Sequence, residues 1–425
     1  MASGAVNKFV EICKYLQDPI HVARFQRFCG VKGTFPEKWT KPVSGQPDPD
    51  YPGLRKRVQQ SSNEGVGNGD AGVPQVNGKQ EDDTVRPDGP AAAEIVRAKP
   101  LRRNSLTGDV GQEFLIHNKF LFYLFTFGTE LGNEMFFIVF FPFLFWNIDA
   151  LVSRRLIVVW AWNLFVGQST KDMVRWSRPA SPPVVKVEVF YNSEYSMPST
   201  HAMTGTAIPF CLFMLTYGRW QLERPGLREP SLHGHALSSG KQEVITGFLY
   251  SLLVLAFFQP ILDKIDNYYM TDHYAPLVII VSHVSLGLVA FSLDSWSTSR
   301  GDTAQGLGTG AGAALASHVN YQLGLLQDPP LSSLPLTLPP VTTGLVLRSL
   351  LRFAIGVAVL LATRMVMKAV TVPFLCRLFG LPSDDVRQAR QQMKVELPYR
   401  YIVYSVVGFS CVCFVPILFW ILNLD

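Results

Sequence analysis

The chain has 425 residues, of which 48% are hydrophobic and only 17% charged, against roughly 25% charged in soluble domains. Its net charge of +5 is spread along the sequence and gives no basis for nucleic-acid binding. Residues 1–113 are polar and rich in Gly, Pro and Asp, whereas most later segments are apolar runs near bilayer-crossing length, which excludes a soluble enzyme. Val6, Phe9, Val10, Ile12, Cys13 and Leu16 recur at helical spacing and predict a short packing or membrane-surface helix within 5–29. Glu11 and Asp18 interrupt the place of a signal-peptide apolar core, so no cleavable signal is expected. Residues 41–100 hold Pro/Gly/Asp clusters with few large apolar residues and are expected to be disordered. Arg102-Arg103-Asn104-Ser105 offers Ser105 as a candidate phosphorylation site for a basophilic kinase.

The expected organisation is a largely disordered soluble region over 1–113 and a transmembrane unit over 114–425, an all-α polytopic helix bundle of about eight spans. The candidate spans are 119–146, 154–170, 201–218, 244–262, 275–293, 307–325, 346–364 and 401–422. Arg154 and Arg155 would snorkel at the end of the second run. The Gly/Ala-rich 307–325 run suits an interior helix, because small residues permit close approach. Residues 381–398 read as a polar loop. Glu130 and Glu134, four apart on one helical face, are intramembrane carboxylates that suit either an active site or a structural contact. Together with His318 they are the only hint of a transporter, and no paired, Gly-broken spans accompany them. Six cysteines without a C-x-x-C pair suggest neither a zinc site nor a disulfide framework, and Cys211, Cys411 and Cys413 read as small hydrophobes.

The polar island between the second and third runs carries the chemistry. It reads Lys171-Asp-Met-Val-Arg175-Trp-Ser-Arg178-Pro179, followed by Pro198-Ser199-Thr200-His201. On a continuous helix Lys171, Arg175 and Arg178 would share one face, and three converging cations suit a phosphate. Ser199 and Thr200 add hydroxyls and backbone donors at a helix start, where the dipole favours an anion. His201 adds a group that exchanges protons near neutral pH.

These two motifs resemble the first and second signatures of the type 2 phosphatidic acid phosphatase and haloperoxidase superfamily, and the wider pattern looks like its sphingosine-1-phosphate phosphatases. The resemblance runs through Leu101–Gly108, Phe127–Asn133, Arg178–Val185, Tyr191–His201, Trp296–Thr303 and Val395–Tyr401. It implies a metal-free, cofactor-free hydrolase of lipid phosphate monoesters in the endoplasmic reticulum membrane. Within it Lys171 and Arg178 bind phosphate, Ser199 and Thr200 cradle it, His201 protonates the leaving alkoxide, and Arg175 is a possible extra contact. The implied substrate is sphingosine 1-phosphate or a related long-chain-base phosphate. No protein partner is suggested.

The superfamily's third motif, Ser-Arg-x5-His-x3-Asp, would supply the attacking histidine, and none of His233, His235, His273, His283 or His318 has Arg and Asp at that spacing. In place of an apolar span ending in that motif, residues 221–243 form a polar, turn-rich insert unable to cross a membrane. The nucleophile is therefore unassigned. The alternative expectation is a phosphatase-like protein that binds lipid phosphate without turning it over. Loss of one span would also invert every later helix relative to the family, or leave one of them uninserted.

Overall fold

A computed structural model describes residues 19–33, 96–98, 114–130, 134–181, 183–186, 194–221, 241–294, 297, 299–325, 328–337, 339–340, 342–381 and 392–424. Helix α1 (Pro19–Phe28) precedes strand β1 (Val31–Gly33), and β2 (Val96–Ala98) and β3 (Phe114–Ile116) complete an antiparallel sheet in the order β1-β3-β2. This sheet joins residues on both sides of position 113. The helices α2 (Lys119–Glu130), α3 (Glu134–Asn147), α4 (Ala150–Val174) and α5 (Thr200–Thr216) follow. A two-residue strand, β4 (Trp220–Gln221), leads to α6 (Lys241–Thr271), α7 (Ala275–Leu293) and α8 (Ser299–Gln322). Strand β5 (Leu336–Thr337), α9 (Thr343–Phe379), α10 (Met393–Phe409), a π-helical turn over Ser410–Phe414 and α11 (Val415–Ile421) complete the order.

Among the described residues, five helices are long and apolar enough to cross a membrane: Ala150–Val174, Gly247–Thr271, Ala275–Leu293, Thr343–Phe379 and Met393–Ile421. The remaining three sequence runs are not among them. The 119–146 run gives the two helices α2, which ends at Glu130, and α3, which begins at Glu134, and the shared face expected for the two carboxylates lies outside what is described. The 201–218 run gives a 17-residue helix, and the 307–325 run lies within the Gly-rich α8. The expected polar loop over 381–398 ends early, because α10 already begins at Met393. There Glu396 lies in the first helical turn and pairs with Arg400 at 3.0 Å, one turn on. Ser105 and most of 1–113 lie outside the described residues.

Packing follows side-chain size. The glycines of α8 let α10 approach closely: a Cβ on Gly308 would sit 2.6 Å from the Tyr401 carbonyl oxygen. Gly308→Val is therefore expected to lower stability by about 1–3 kcal/mol through overpacking. Gly344→Ala, at a glycine with open space around it, should leave thermal unfolding in detergent unchanged. The π turn frees two carbonyls, and both find donors: Trp146 Nε1 to Cys411 O at 2.9 Å and Asn320 Nδ2 to Val412 O at 2.7 Å. Cys211, Cys411 and Cys413 are buried in this core.

Arg154 and Arg155 do not snorkel. Arg154 is buried and donates from Nε to Asp266 at 2.9 Å and from one terminal nitrogen to Asp328 at 2.8 Å, while Arg155 pairs with Asp263 at 2.6 Å and Asp266 at 2.9 Å. Paired carboxylates on α6 and the 328 loop offer these cations more than a water interface would.

Helices α5 and α6, consecutive in the chain, run parallel. Ser251 Oγ donates to Met203 O at 3.0 Å and Cys211 Sγ to Gln259 at 3.7 Å, both across an offset of 48 residues. A Cβ on Gly247 would likewise meet Ser199 O at 2.8 Å. Past α5, Arg219 pairs with Asp149 at 2.6 Å and Trp220 Nε1 donates to Asp149 at 3.1 Å, at the end of the bundle opposite Ser199. The end of α5 and the start of α6 therefore lie at opposite ends of this pair, about 25 Å apart at 1.5 Å per residue. Helices α5 and α6 thus point the same way.

Candidate phosphate site

The site forms where α4 ends and α5 begins. Helix α4 stops at Val174 because Arg175 takes the left-handed conformation (φ 52°, ψ 38°), its N–H bonding back to Lys171 O. Lys171, Arg175 and Arg178 therefore do not share a helical face, which corrects the expectation from spacing. Arg175 turns toward α7, donating to Leu293 O at 3.0 Å and lying 3.8 Å from Asp294. It ties two helix ends together.

Lys171 and Arg178 nevertheless converge. Lys171 is buried, with Nζ 3.2 Å from Thr200 Oγ1 and 3.4 Å from Glu194 Oε2. Arg178 reaches the same loop from the chain beyond the cap, donating from Nε to Glu194 O at 3.1 Å, with a terminal nitrogen 3.8 Å from Glu194 Oε2. Ser199 caps α5 by accepting from Ala202 N–H at 3.3 Å. Close packing fixes that end: a Cβ on Gly167 of α4 would lie 3.0 Å from the Thr200 methyl. His201, half-buried on the same turn and outside the five membrane-length helices, feels this setting. Desolvation first, then the positive charge of Lys171, push its imidazole down to about 4; Glu194 opposes them, and Arg178 adds the smallest downward effect. The imidazole is neutral in the free site.

Glu194 is the residue that sequence reasoning missed. It lies within Tyr191–His201, buried between two cations, and its only signal was a lone acid in a stretch otherwise free of carboxylates. The loop around it is held at three points: Glu194 by Lys171 and Arg178, Tyr195 by Asp294, and Ser196 by the backbone of Trp176 at 2.8 Å. Behind Lys171, buried Asp172 accepts from Ser299 Oγ at 2.8 Å and anchors the start of α8. On the other flank, the Gln26 side-chain amide of α1 exchanges two 2.8 Å hydrogen bonds with the backbone of Val185. The N-terminal helix thus packs on the chain that carries Arg178.

Two buried histidines lie elsewhere. His283 packs beside Trp162 and bonds Ile279 O at 2.8 Å, about two and a half turns along α4 from Lys171. His318 bonds Tyr269 O at 2.9 Å. His233 and His235 lie outside the described residues. Among the described residues, no group of three His, Cys, Asp or Glu is arranged to hold a metal ion.

No protein-family model matches the chain, and no solved structure does. The chain is 48% identical over 430 residues to sphingosine-1-phosphate phosphatase 1 of Rattus norvegicus, covering 95% of this chain and 96% of that protein. The Mus musculus protein of the same name is 47% identical with the same coverage. Sphingosine-1-phosphate phosphatase 2 of Homo sapiens is 32% identical over 97% of this chain and 99% of its own length.

Proposed function

The chain belongs to the sphingosine-1-phosphate phosphatase family, and we propose that it hydrolyses sphingosine 1-phosphate, or a related long-chain-base phosphate, to the free base and inorganic phosphate. The observation that carries this reading is that Lys171 and Arg178 both reach Glu194 while Lys171 also meets Thr200, the residue before His201, at the N-terminus of α5. In the proposal the Lys171 ammonium and the Arg178 guanidinium hold the phosphate oxygens, and Ser199, Thr200 and the first-turn amides complete the cradle. The endoplasmic reticulum membrane is the proposed location, and no cofactor takes part.

The lowered basicity of His201 gives the proposal a checkable consequence. A neutral imidazole cannot protonate a leaving alkoxide. A phosphate dianion between Lys171 and Arg178 offsets their charge and raises the imidazole toward its ordinary range. His201 then takes up a proton on binding and returns it to the ester oxygen as the P–O bond breaks, with the oxygen of water ending on phosphorus in the released phosphate. Calorimetry at pH 7 in buffers of different ionisation enthalpy should show uptake of up to one proton per inorganic phosphate bound, absent in His201→Gln. Equal uptake in both proteins would remove His201 from this role.

The binding reading is tested by thermal unfolding in detergent. Inorganic phosphate at a hundred times its dissociation constant should stabilise the chain by about 2.7 kcal/mol. Arg178→Ala should abolish that shift. No shift in the wild type, or an equal shift in Arg178→Ala, contradicts the assignment.

A further inference from the structure

We infer that Gln26 of α1 is a positioning residue for Arg178: it holds the far end of the chain that carries the guanidinium, and so makes the N-terminal helix part of the phosphate site. The inference rests on the phosphate site proposed above. The Gln26 side-chain amide meets the Val185 backbone twice across 159 residues of sequence. Its Nε2 donates to Val185 O and its Oε1 accepts from Val185 N–H, both at 2.8 Å. A planar amide that bonds both backbone groups of one residue acts as a strand neighbour would, and fixes the orientation of that residue as well as its position.

The Val185 side chain is pinned too. It is 4% exposed and packs with Val31 of β1 and with Phe114 and Ile116 of β3, and Phe122 of α2 rests on the same cluster. Helix α1 is tied to this frame where it leads into β1: Gly30 takes a left-handed φ of 83°, and its carbonyl accepts from His117 N–H at 2.7 Å. Between this anchor and the site the sequence reads Arg178-Pro179-Ala180-Ser181-Pro182-Pro183-Val184-Val185. Each proline ring fixes its own φ and confines the residue before it, so the connection has few soft torsions and passes a displacement of Val185 on to Arg178. Arg178 has partners of its own at the Glu194 end. Gln26 therefore sets where the Arg178 backbone stands, not whether the guanidinium is paired. A rigid bidentate fork depends on that placement more than a flexible point charge does.

The test titrates the full chain in detergent with inorganic phosphate, as wild type, Gln26→Ala, Gln26→Glu and Arg24→Ala, each also combined with Arg178→Lys. Gln26→Glu keeps the size of the side chain and an acceptor for Val185 N–H but has no donor for Val185 O. Both Gln26 variants should bind phosphate about tenfold more weakly, the scale of one or two net hydrogen bonds. Arg24→Ala, at an exposed position of the same helix, should bind as wild type does. With Arg178→Lys the effect of either Gln26 variant should shrink to about twofold or less, because the two positions are coupled. Thermal unfolding of each variant confirms a folded chain. Wild-type affinity in folded Gln26→Ala and Gln26→Glu overturns the inference, and so does an equal loss with Arg178 and with Arg178→Lys, which would mean that Gln26 does not act through Arg178. Gln26 variants that do not fold overturn it as well and leave Gln26 as a folding residue. Wild type that binds no phosphate overturns the phosphate site and this inference with it.

Discussion

Lys171→Met is expected to cost about 3–5 kcal/mol of stability and to abolish phosphate binding, whereas Lys171→Met combined with Glu194→Gln recovers stability without recovering binding. The reason is the burial of both partners. Lys171 and Glu194 are 2% and 6% exposed, so removal of the ammonium strands a buried carboxylate, and breaking a buried pair from one side is far more costly than neutralising both sides. Neutralising Glu194 as well removes that penalty. It does not restore a cation for a phosphate oxygen, and truncating one partner of a buried charge-assisted bond typically costs ~2–5 kcal/mol of binding. Thermal unfolding and phosphate titration of the four proteins form a double-mutant cycle. Recovery of phosphate affinity in the double variant would mean that Lys171 serves only to neutralise Glu194.

Replacing residues 222–240 with an apolar segment of about twenty residues that ends in Ser-Arg-x5-His-x3-Asp is expected to raise the rate of phosphate release by about a thousandfold or more. Helices α5 and α6 run parallel at a constant offset of 48 residues, so α5 ends near Asp149 and α6 starts near Ser199, at the other end of the pair. An apolar span of that length is suited to such a crossing, and the polar sequence in its place is not. The span would also deliver its motif close to Ser199 and Gly247, beside the phosphate site. Covalent enzymes that lose a nucleophile lose several powers of ten in rate, and restoring one should recover a comparable factor. The same graft with the motif's own histidine replaced by alanine is the control. Equal initial rates for graft, control and wild type would contradict the placement of the missing nucleophile at this end of the bundle.

Much of the bundle was legible because apolar run length is a direct consequence of bilayer or core thickness. The 275–293 run coincides with α7, and the Gly/Ala-rich 307–325 run was read as an interior helix, which α8 is. Misreadings arose where tertiary partners outweigh local composition. Arg154 and Arg155 looked like residues that needed water, yet Asp263, Asp266 and Asp328, more than 100 residues away in sequence, take them. In the site, Lys171, Arg178, Ser199, Thr200 and His201 were readable from two short motifs. Arg175 was placed with them on the assumption that the helix continued, and nothing in its spacing signals a left-handed cap at that residue. Glu194 was invisible for a different reason. A lone acid has no period, and its importance comes from the two cations that fold around it.

The most direct test is phosphate release from sphingosine 1-phosphate by the full chain in detergent micelles, with a metal chelator present, beside His201→Ala. The expected result is slow, chelator-resistant release that falls by about 10²–10⁴ in the variant, the range spanned by general acid catalysis. Release that continues unchanged in His201→Ala, or that stops when the chelator is added, would contradict a metal-free site in which His201 protonates the leaving group.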